Sequence, residues 1–239
     1  MPPRTRDAES RNLLEVAAVT VSFGGLVAND EVDLEVRTGE VTALIGPNGA
    51  GKTTLFNVIT GAQAPSSGHV VFGGVDVTSL GPIQRARRGM ARTFQNLSLV
   101  PSLSVLDNTT VGLGRFRRAG LLSAMLALPH SRRQDRMLID ASMGALAFVG
   151  LADKAHEPTA ALPYGDRRRL ELARALALAP RLLLLDEPSA GMDPRETAEL
   201  ARTIRRARDE LGITVLVVEH DMSFVRTLAE TTSVLEFGR

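Results

Sequence analysis

The 239-residue chain contains no cysteine. Disulfides and thiolate metal sites are thereby excluded, and the cytoplasm is the simplest compartment. It also lacks any apolar run of the ~20 residues needed to span a bilayer. The longest apolar stretch, residues 119–129, is too short. Residues 1–11 are polar, have no apolar core of a signal peptide, and read as a loose tail. Net charge is only +1, so charge gives no sign of a nucleic-acid partner or an anionic membrane surface. Lysine is scarce as well: Lys52 and Lys154 stand alone among 28 basic residues. Codon bias is the simplest cause, yet it makes Lys52 informative. Arginine serves almost everywhere else, while this position keeps a compact ammonium, the better point charge inside a phosphate cradle.

At 44% hydrophobic and 23% charged, the chain has the composition of a globular domain. Residues 16–23 are apolar and β-branched, and Val32-Asp33-Leu34-Glu35-Val36 alternates with period two, as a half-exposed strand does. Residues 41–45 form a short apolar run that reads as a buried strand, 52–60 read as a helix, and 69–72 as another strand. Helical periodicity dominates residues 96–161, as in Met137, Ile139, Met143, Leu146 and Val149. Helices then alternate with buried strands: 167–179, 182–185, 195–208, 214–218, 223–229 and 233–237. Such alternation implies a parallel sheet covered by helices.

Between the strand at 41–45 and the helix at 52–60 lies Gly46-Pro47-Asn48-Gly49-Ala50-Gly51-Lys52-Thr53-Thr54, which fits G-x-x-x-x-G-K-[ST]. The glycines let backbone N–H groups turn inward around phosphates, and the helix start aims its positive end at the same anion. Lys52 then reaches the β- and γ-phosphates of ATP, and Thr53 offers a hydroxyl to Mg²⁺. A chain of this length would carry such a match by accident roughly once in a hundred.

A second cluster closes the apolar strand at 182–185 with Asp186-Glu187-Pro188. Ligands of open parallel sheets bind at the carboxyl ends of strands. Asp186 is therefore expected near the Lys52 loop, holding Mg²⁺ through water, with Glu187 as general base on the attacking water. Asp193-Pro194-Arg195-Glu196 additionally reads as a helix start, with an N-cap, proline at N1 and glutamate at N3.

Five further features add to these. They are Thr93-Phe94-Gln95, Leu162-Pro163-Tyr164-Gly165-Asp166 with its arginine-rich helix, Ser189-Ala190-Gly191-Met192-Asp193, Val217-Val218-Glu219-His220-Asp221, and Phe23 near the start. Together with the two clusters above they resemble the ATP-binding subunits of ABC transporters, over residues 13–239. Ser22-Phe23-Gly24-Gly25-Leu26-Val27-Ala28, Ala91-Arg92-Thr93-Phe94-Gln95-Asn96 and Tyr164-Gly165 are most similar to the branched-chain amino-acid importers among them.

The resemblance implies roles residue by residue. Gln95 contacts Mg²⁺ or water, His220 donates to the γ-phosphate, and Phe23 stacks on adenine. Tyr164, Gly165 and Asp166 stand where the signature caps nucleotide bound by an opposing subunit, and Asp193 lies in the D-loop. Pro163 replaces the signature serine and Tyr164 its first glycine, so a hydroxyl contact is lost. Three arginines, 167 to 169, crowd the first turn of the next helix against its dipole, as though anions or acidic groups lay nearby.

The implied fold is α/β: a P-loop NTPase core with a parallel sheet, an antiparallel β-subdomain and an α-helical subdomain. A flexible tail would cover residues 1–12 and a single ATPase domain 13–239. Within it, 13–95 and 162–239 would make the core and 96–161 the helical part. The implied function is ATP hydrolysis with Mg²⁺, energising import of branched-chain or similar amino acids. Its partners would be membrane permease subunits, a second ATPase subunit (the same chain or a different one), and indirectly a solute-binding protein. The expected location is the cytoplasmic face of the cell membrane. Other solutes, such as amides or urea, and a soluble non-transport ATPase remain open on the residues alone. The apolar stretch 120–128 is expected to be a packed helix or a docking surface for the membrane partner.

Overall fold

The computed structural model describes residues 12–93, 99–113 and 129–239. Gln95 and the stretch 120–128 lie outside the described residues. The chain divides into two compact units. The first comprises the described residues through Arg92 with Arg181–Ser189 and Ile204–Arg239, and the second Thr93–Pro180 with Ala190–Thr203.

The first unit holds two sheets. In the antiparallel one, β1 (Asn12–Phe23) turns through Gly24-Gly25 into β2 (Leu26–Arg37), and β4 (Ser67–Phe72) and β5 (Val75–Asp76) complete the order β2-β1-β4-β5. Along β2, Val32, Leu34 and Val36 are buried while Asp33 and Glu35 are exposed, which is the period-two pattern of a sheet with one wet face.

The parallel sheet has the order β6-β7-β8-β3-β9, with β3 Val41–Ile45, β6 Met90–Arg92, β7 Leu182–Asp186, β8 Thr214–Val218 and β9 Thr231–Val234. Every residue of β7 and β8 is buried. Runs such as Leu182 to Leu185 are therefore apolar without alternation, because both faces are covered. Leu44, Leu55, Phe56, Leu184 and Leu216 share one core with Val16, Val19 and Leu34 of the antiparallel sheet. Each such side chain contributes about 1.5–3 kcal/mol of apolar burial.

Helix α1 (Lys52–Thr60) follows β3 directly. Its far end is held by Arg85, on the short helix α2 (Pro82–Arg87). Arg85 is 1% exposed and donates to Val58 O at 2.6 Å, Ile59 O at 2.7 Å, Leu80 O at 2.8 Å and Thr78 O at 3.0 Å. A guanidinium at a helix C-terminus satisfies carbonyls that have no intrahelical partner and complements the negative end of the dipole.

The second unit contains α3 (Val105–Leu113), α4 (Pro129–Phe148) and α5 (Tyr164–Leu176), together with the first part of α6 (Pro194–Leu211). Asn108, 2% exposed, fixes the approach to α3. It exchanges two 2.9 Å bonds with the Val100 backbone and donates to Thr159 Oγ1 at 2.8 Å. The last helix, α7 (Met222–Leu228), belongs to the first unit.

The sequence pattern over 233–237 reads as a strand, but β9 ends at Val234. Glu236 and Arg239 bond to each other's backbone, and Phe237 takes φ 47°, so the chain turns instead of extending. Among the described residues no helix is long and apolar enough to cross a membrane.

Arg85→Ala removes a donor from four carbonyls, of which Val58 O keeps the Gly61 amide at 3.1 Å. Urea unfolding should show a loss of roughly 3 kcal/mol, and Arg85→Lys should recover only part of it, since an ammonium cannot span the four carbonyls as a fork does.

Candidate active site

The loop between β3 and α1 is shaped by Gly51, which takes φ 97° directly before Lys52. A β-carbon there would collide with the Ala28 carbonyl and the Asn29 side-chain amide, so both the left-handed backbone and the close approach require glycine. Lys52 is 7% exposed, and its Nζ donates to Gly46 O at 2.6 Å and Pro47 O at 2.9 Å. The ammonium is thus folded back across the loop onto carbonyls, which are weaker partners than phosphate oxygens. Thr53 is exposed beside it and Thr54 half-buried. They open onto a cleft of about 430 Å³, lined also by Asn48, Gly49, Val27, Glu187 and Phe237. Phe23 is half-exposed at the tip of the hairpin that contributes Leu26 and Val27 to that cleft.

Strand register brings the acidic residues to this edge. Asp186 pairs with Val218 on β8, and Val218 with Leu44 on β3. The three loops that follow therefore leave the same edge within a residue or two: Gly46 after β3, Glu187 after β7, His220 after β8. Two strand spacings separate the outer pair, about 10 Å. Asp186 is 4% exposed, and its Oδ2 accepts from Arg92 Nη2 at 2.8 Å.

Glu187 takes φ 46°, an unfavourable conformation for a residue with a side chain. Its amide donates to Val218 O at 2.9 Å, which pins the strained turn. The Glu187 carboxylate lies 3.8 Å from Nδ1 of His220, whose side chain is 61% exposed. That spacing is wider than a direct hydrogen bond.

Glu219, fully buried, organises the loop carrying His220. Its Oε1 accepts from Ser189 Oγ at 2.6 Å and Ser189 N at 2.9 Å, and its Oε2 from His220 N at 3.1 Å and Asp221 N at 3.4 Å. One carboxylate thus joins the turn after Glu187 to the turn after β8. Asp221 then caps α7, accepting from Ser223 N and Phe224 N. Hydrogen bonds from the Ser223 hydroxyl and amide hold its carboxyl below the usual carboxylate range.

In the second unit, Tyr164 and Gly165 begin α5. The Tyr164 hydroxyl donates to Ala190 O at 2.8 Å, and the ring lies where a β-carbon on Gly191 would touch it at 3.2 Å. A β-carbon on Gly165 would strike the Glu196 carboxylate. Asp166 is 4% exposed and carries two cations, Lys154 and Arg169, each at 2.6 Å. The hydrogen bond to Asp166 raises the Lys154 ammonium above its ordinary value. Asp193 Oδ1 accepts from Arg195 N at 2.7 Å and Glu196 N at 2.9 Å, while Glu196 accepts from Asp193 N at 3.1 Å. This is a reciprocal cap on α6.

A family model described as ABC transporter matches residues 29–190. The chain belongs to the ABC transporter family. It is an ATP-hydrolysing transporter subunit, and its α/β core with parallel and antiparallel sheets is the ABC ATPase fold. It is 39% identical over 229 residues to the high-affinity branched-chain amino acid transport ATP-binding protein BraF of Pseudomonas aeruginosa, covering 96% of this chain and 90% of that one. The crystal structure of the ADP conformation of an ABC transporter's ATP-binding cassette superposes with TM-score 0.84 at 29% identity, covering 96% of this chain and 89% of that one. The dimeric structure of a bacterial ABC transporter cassette gives TM-score 0.77 at 25% identity, covering 94% and 95%.

Three residues of this ABC subunit's site escape the sequence reading. Arg92 and Glu219 are ordinary charged residues in sequence, and only burial reveals their partners. Phe237, 88% exposed, reads as a strand residue but lines the cleft.

The strain at Glu187 has a measurable consequence. Glu187→Gly should raise stability to urea by about 1 kcal/mol, the left-handed penalty less the chain entropy that glycine adds. An equal or lower stability would show that contacts of the Glu187 side chain outweigh its backbone strain.

Proposed function

We propose that this subunit binds Mg·ATP in the cleft at the carboxyl edge of the parallel sheet, with Glu187 as the base of hydrolysis. The reading rests on one observation above all: Glu187, held in a strained turn, lines the same cleft as Lys52 and Thr53. Backbone N–H groups of residues 48–51 and the start of α1 hold the phosphates. Lys52 exchanges its two carbonyl partners for β- and γ-phosphate oxygens. Glu187 accepts a proton from the attacking water, and His220 donates to the γ-phosphate. The adenine lies toward Phe23 and the neighbouring Leu26 and Val27.

Oxygen donors suited to Mg²⁺ stand at this edge: the exposed Thr53 hydroxyl and the buried Asp186 carboxylate, held in orientation by Arg92. Those two residues would hold the ion, with Gln95, and it would neutralise charge developing on the phosphates.

The similarity to a dimeric cassette supports pairing with a second ATPase subunit, in which Tyr164, Gly165, Asp166 and Asp193 face nucleotide bound by the partner. Opening and closing of the pair would drive membrane permease subunits from the cytoplasmic face. The similarity to BraF supports branched-chain amino acids, delivered by a solute-binding protein, as the cargo.

Steady-state ATP hydrolysis and equilibrium ATP binding test the site together. Glu187→Gln should bind ATP within about threefold of wild type and lose at least a hundredfold in kcat. Lys52→Ala should lose both binding and turnover. Equal turnover in all three proteins rules the mechanism out. Uptake of labelled leucine by vesicles containing the assembled transporter tests the cargo, and ATP-dependent uptake of a different solute class alone would refute it.

A further inference from the structure

Arg92 closes β6 and pairs in the sheet with Leu184 of β7. Its side chain, 12% exposed, makes a two-pronged contact with two other elements. Nη1 donates to Asn57 Oδ1 on α1 at 2.7 Å, and Nη2 to Asp186 Oδ2 at the end of β7 at 2.8 Å. The guanidinium carbon sits 5.6 Å from the centroid of the Phe56 ring, which packs against its face. The prongs and the ring together leave the group little freedom to rotate. Asp186, with a side chain 5% exposed, thus receives its countercharge from a rigid plane anchored on the phosphate-loop helix.

Arginine as a residue type carries little information in this chain, since lysine is nearly absent. The geometry carries the argument instead. A lysine has no fixed fork and no planar face to stack, so it cannot hold two acceptors on separate elements in one orientation. A carboxylate is rigid, so fixing Oδ2 also fixes the direction of Oδ1.

We propose that Arg92 is a positioning residue for the metal: by clamping Oδ2 it aims the carboxylate of Asp186 at the ion that accompanies ATP. The proposal rests on the reading of Asp186 as a residue that holds Mg²⁺. Partners of this kind, one shell beyond the metal's own ligands, typically alter metal affinity by about 10- to 100-fold when changed. Asn57, as the second anchor, shares the role at one remove. The clamp also ties the end of β6 to the acidic edge.

Mn²⁺ serves as the probe, titrated by electron paramagnetic resonance into the protein saturated with a non-hydrolysable ATP analogue. Arg92→Lys conserves the charge and removes the fork, and Asn57→Ala keeps Arg92 but removes one anchor. Mn²⁺ affinity should fall about tenfold in Arg92→Lys and by a smaller factor, about threefold, in Asn57→Ala. Affinity for the analogue without metal should stay within about twofold of wild type, which a general structural defect would not allow. Should Arg92→Lys fail to fold, Asn57→Ala decides alone.

Asp186→Asn is the control. If it weakens Mn²⁺ binding while both other variants leave it unchanged, the clamp does no positioning and the proposal falls. A rise in Mn²⁺ affinity in Arg92→Lys would overturn it too, by showing that Arg92 competes with the ion. Unchanged Mn²⁺ binding in Asp186→Asn would remove the underlying reading of Asp186, and the proposal with it, at a separable step.

Discussion

The pairing of Asp186 with Val218, and of Val218 with Leu44, is the constraint from which the site follows. Side chains alternate along a strand, so a slip of one residue in β7 would turn Asp186 to the opposite face and carry Glu187 with it. β7 and β8 resist such a slip because they are buried throughout. Their apolar side chains fit only one register between covered faces. The same pairing supports the strained turn: Val218, which aligns Asp186, also accepts the hydrogen bond from the Glu187 amide. The core thus supplies the cost of holding Glu187 in a left-handed conformation, and the strain is local to the residue that faces the cleft.

Charge in this region is handled by a common device. Three buried ionic groups are each matched by hydrogen-bond partners from the chain itself. Glu219 is surrounded by backbone amides and the Ser189 hydroxyl, Asp186 by a guanidinium, and Lys52 by two carbonyls. The three differ in how replaceable those partners are. Amide N–H groups around Glu219 are part of the fold and have no competitor in a nucleotide. The carbonyls under Lys52 are neutral acceptors that an anionic phosphate displaces at a gain. Glu219 is therefore tied to the fold itself, whereas Lys52 rests on two neutral carbonyls.

The strands and helices of the first unit were largely legible because burial on one or both faces leaves a direct mark. Alternation over residues 32–36 gives β2 its wet face, the unbroken leucines of 182–185 give a central strand, and residues 52–60 form a helix with the bounds read from the pattern. β6 escaped because three residues carry no period, and α2 because a single turn of helix is set by its proline and by contacts of Arg85. Phe237 misled for a different reason. An apolar residue after a strand looks like its continuation, but the turn is fixed by backbone bonds between residues 236 and 239 that no side-chain pattern records. Lys52, Asp186 and Glu187 could be named from spacing, since the phosphate loop and the strand-end carboxylates are local motifs. Arg92 and Glu219 could not, because their roles exist only through partners distant in sequence.

The arginines 167 to 169, which follow the start of α5 at Tyr164 and do not open the helix as the sequence pattern suggests, show how local satisfaction can imitate a ligand signal. Three positive charges near a helix start oppose its dipole, which invites an anion as explanation. The structure answers with the chain's own groups. Arg169 pairs with Asp166, Arg168 lies 3.3 Å from Glu171 and stacks on Tyr164, and Arg167 donates to the Ala160 and Leu162 carbonyls. Asp166 itself sits in the first turn, where a negative charge suits the dipole. Pro163 offers no side-chain cap, and Tyr164 turns its hydroxyl to Ala190. Gly165 beside it is buried, with the Glu196 carboxylate standing where a side chain would point. The positive charges of this turn are therefore accounted for by the chain's own acceptors, and no anion is needed to explain them.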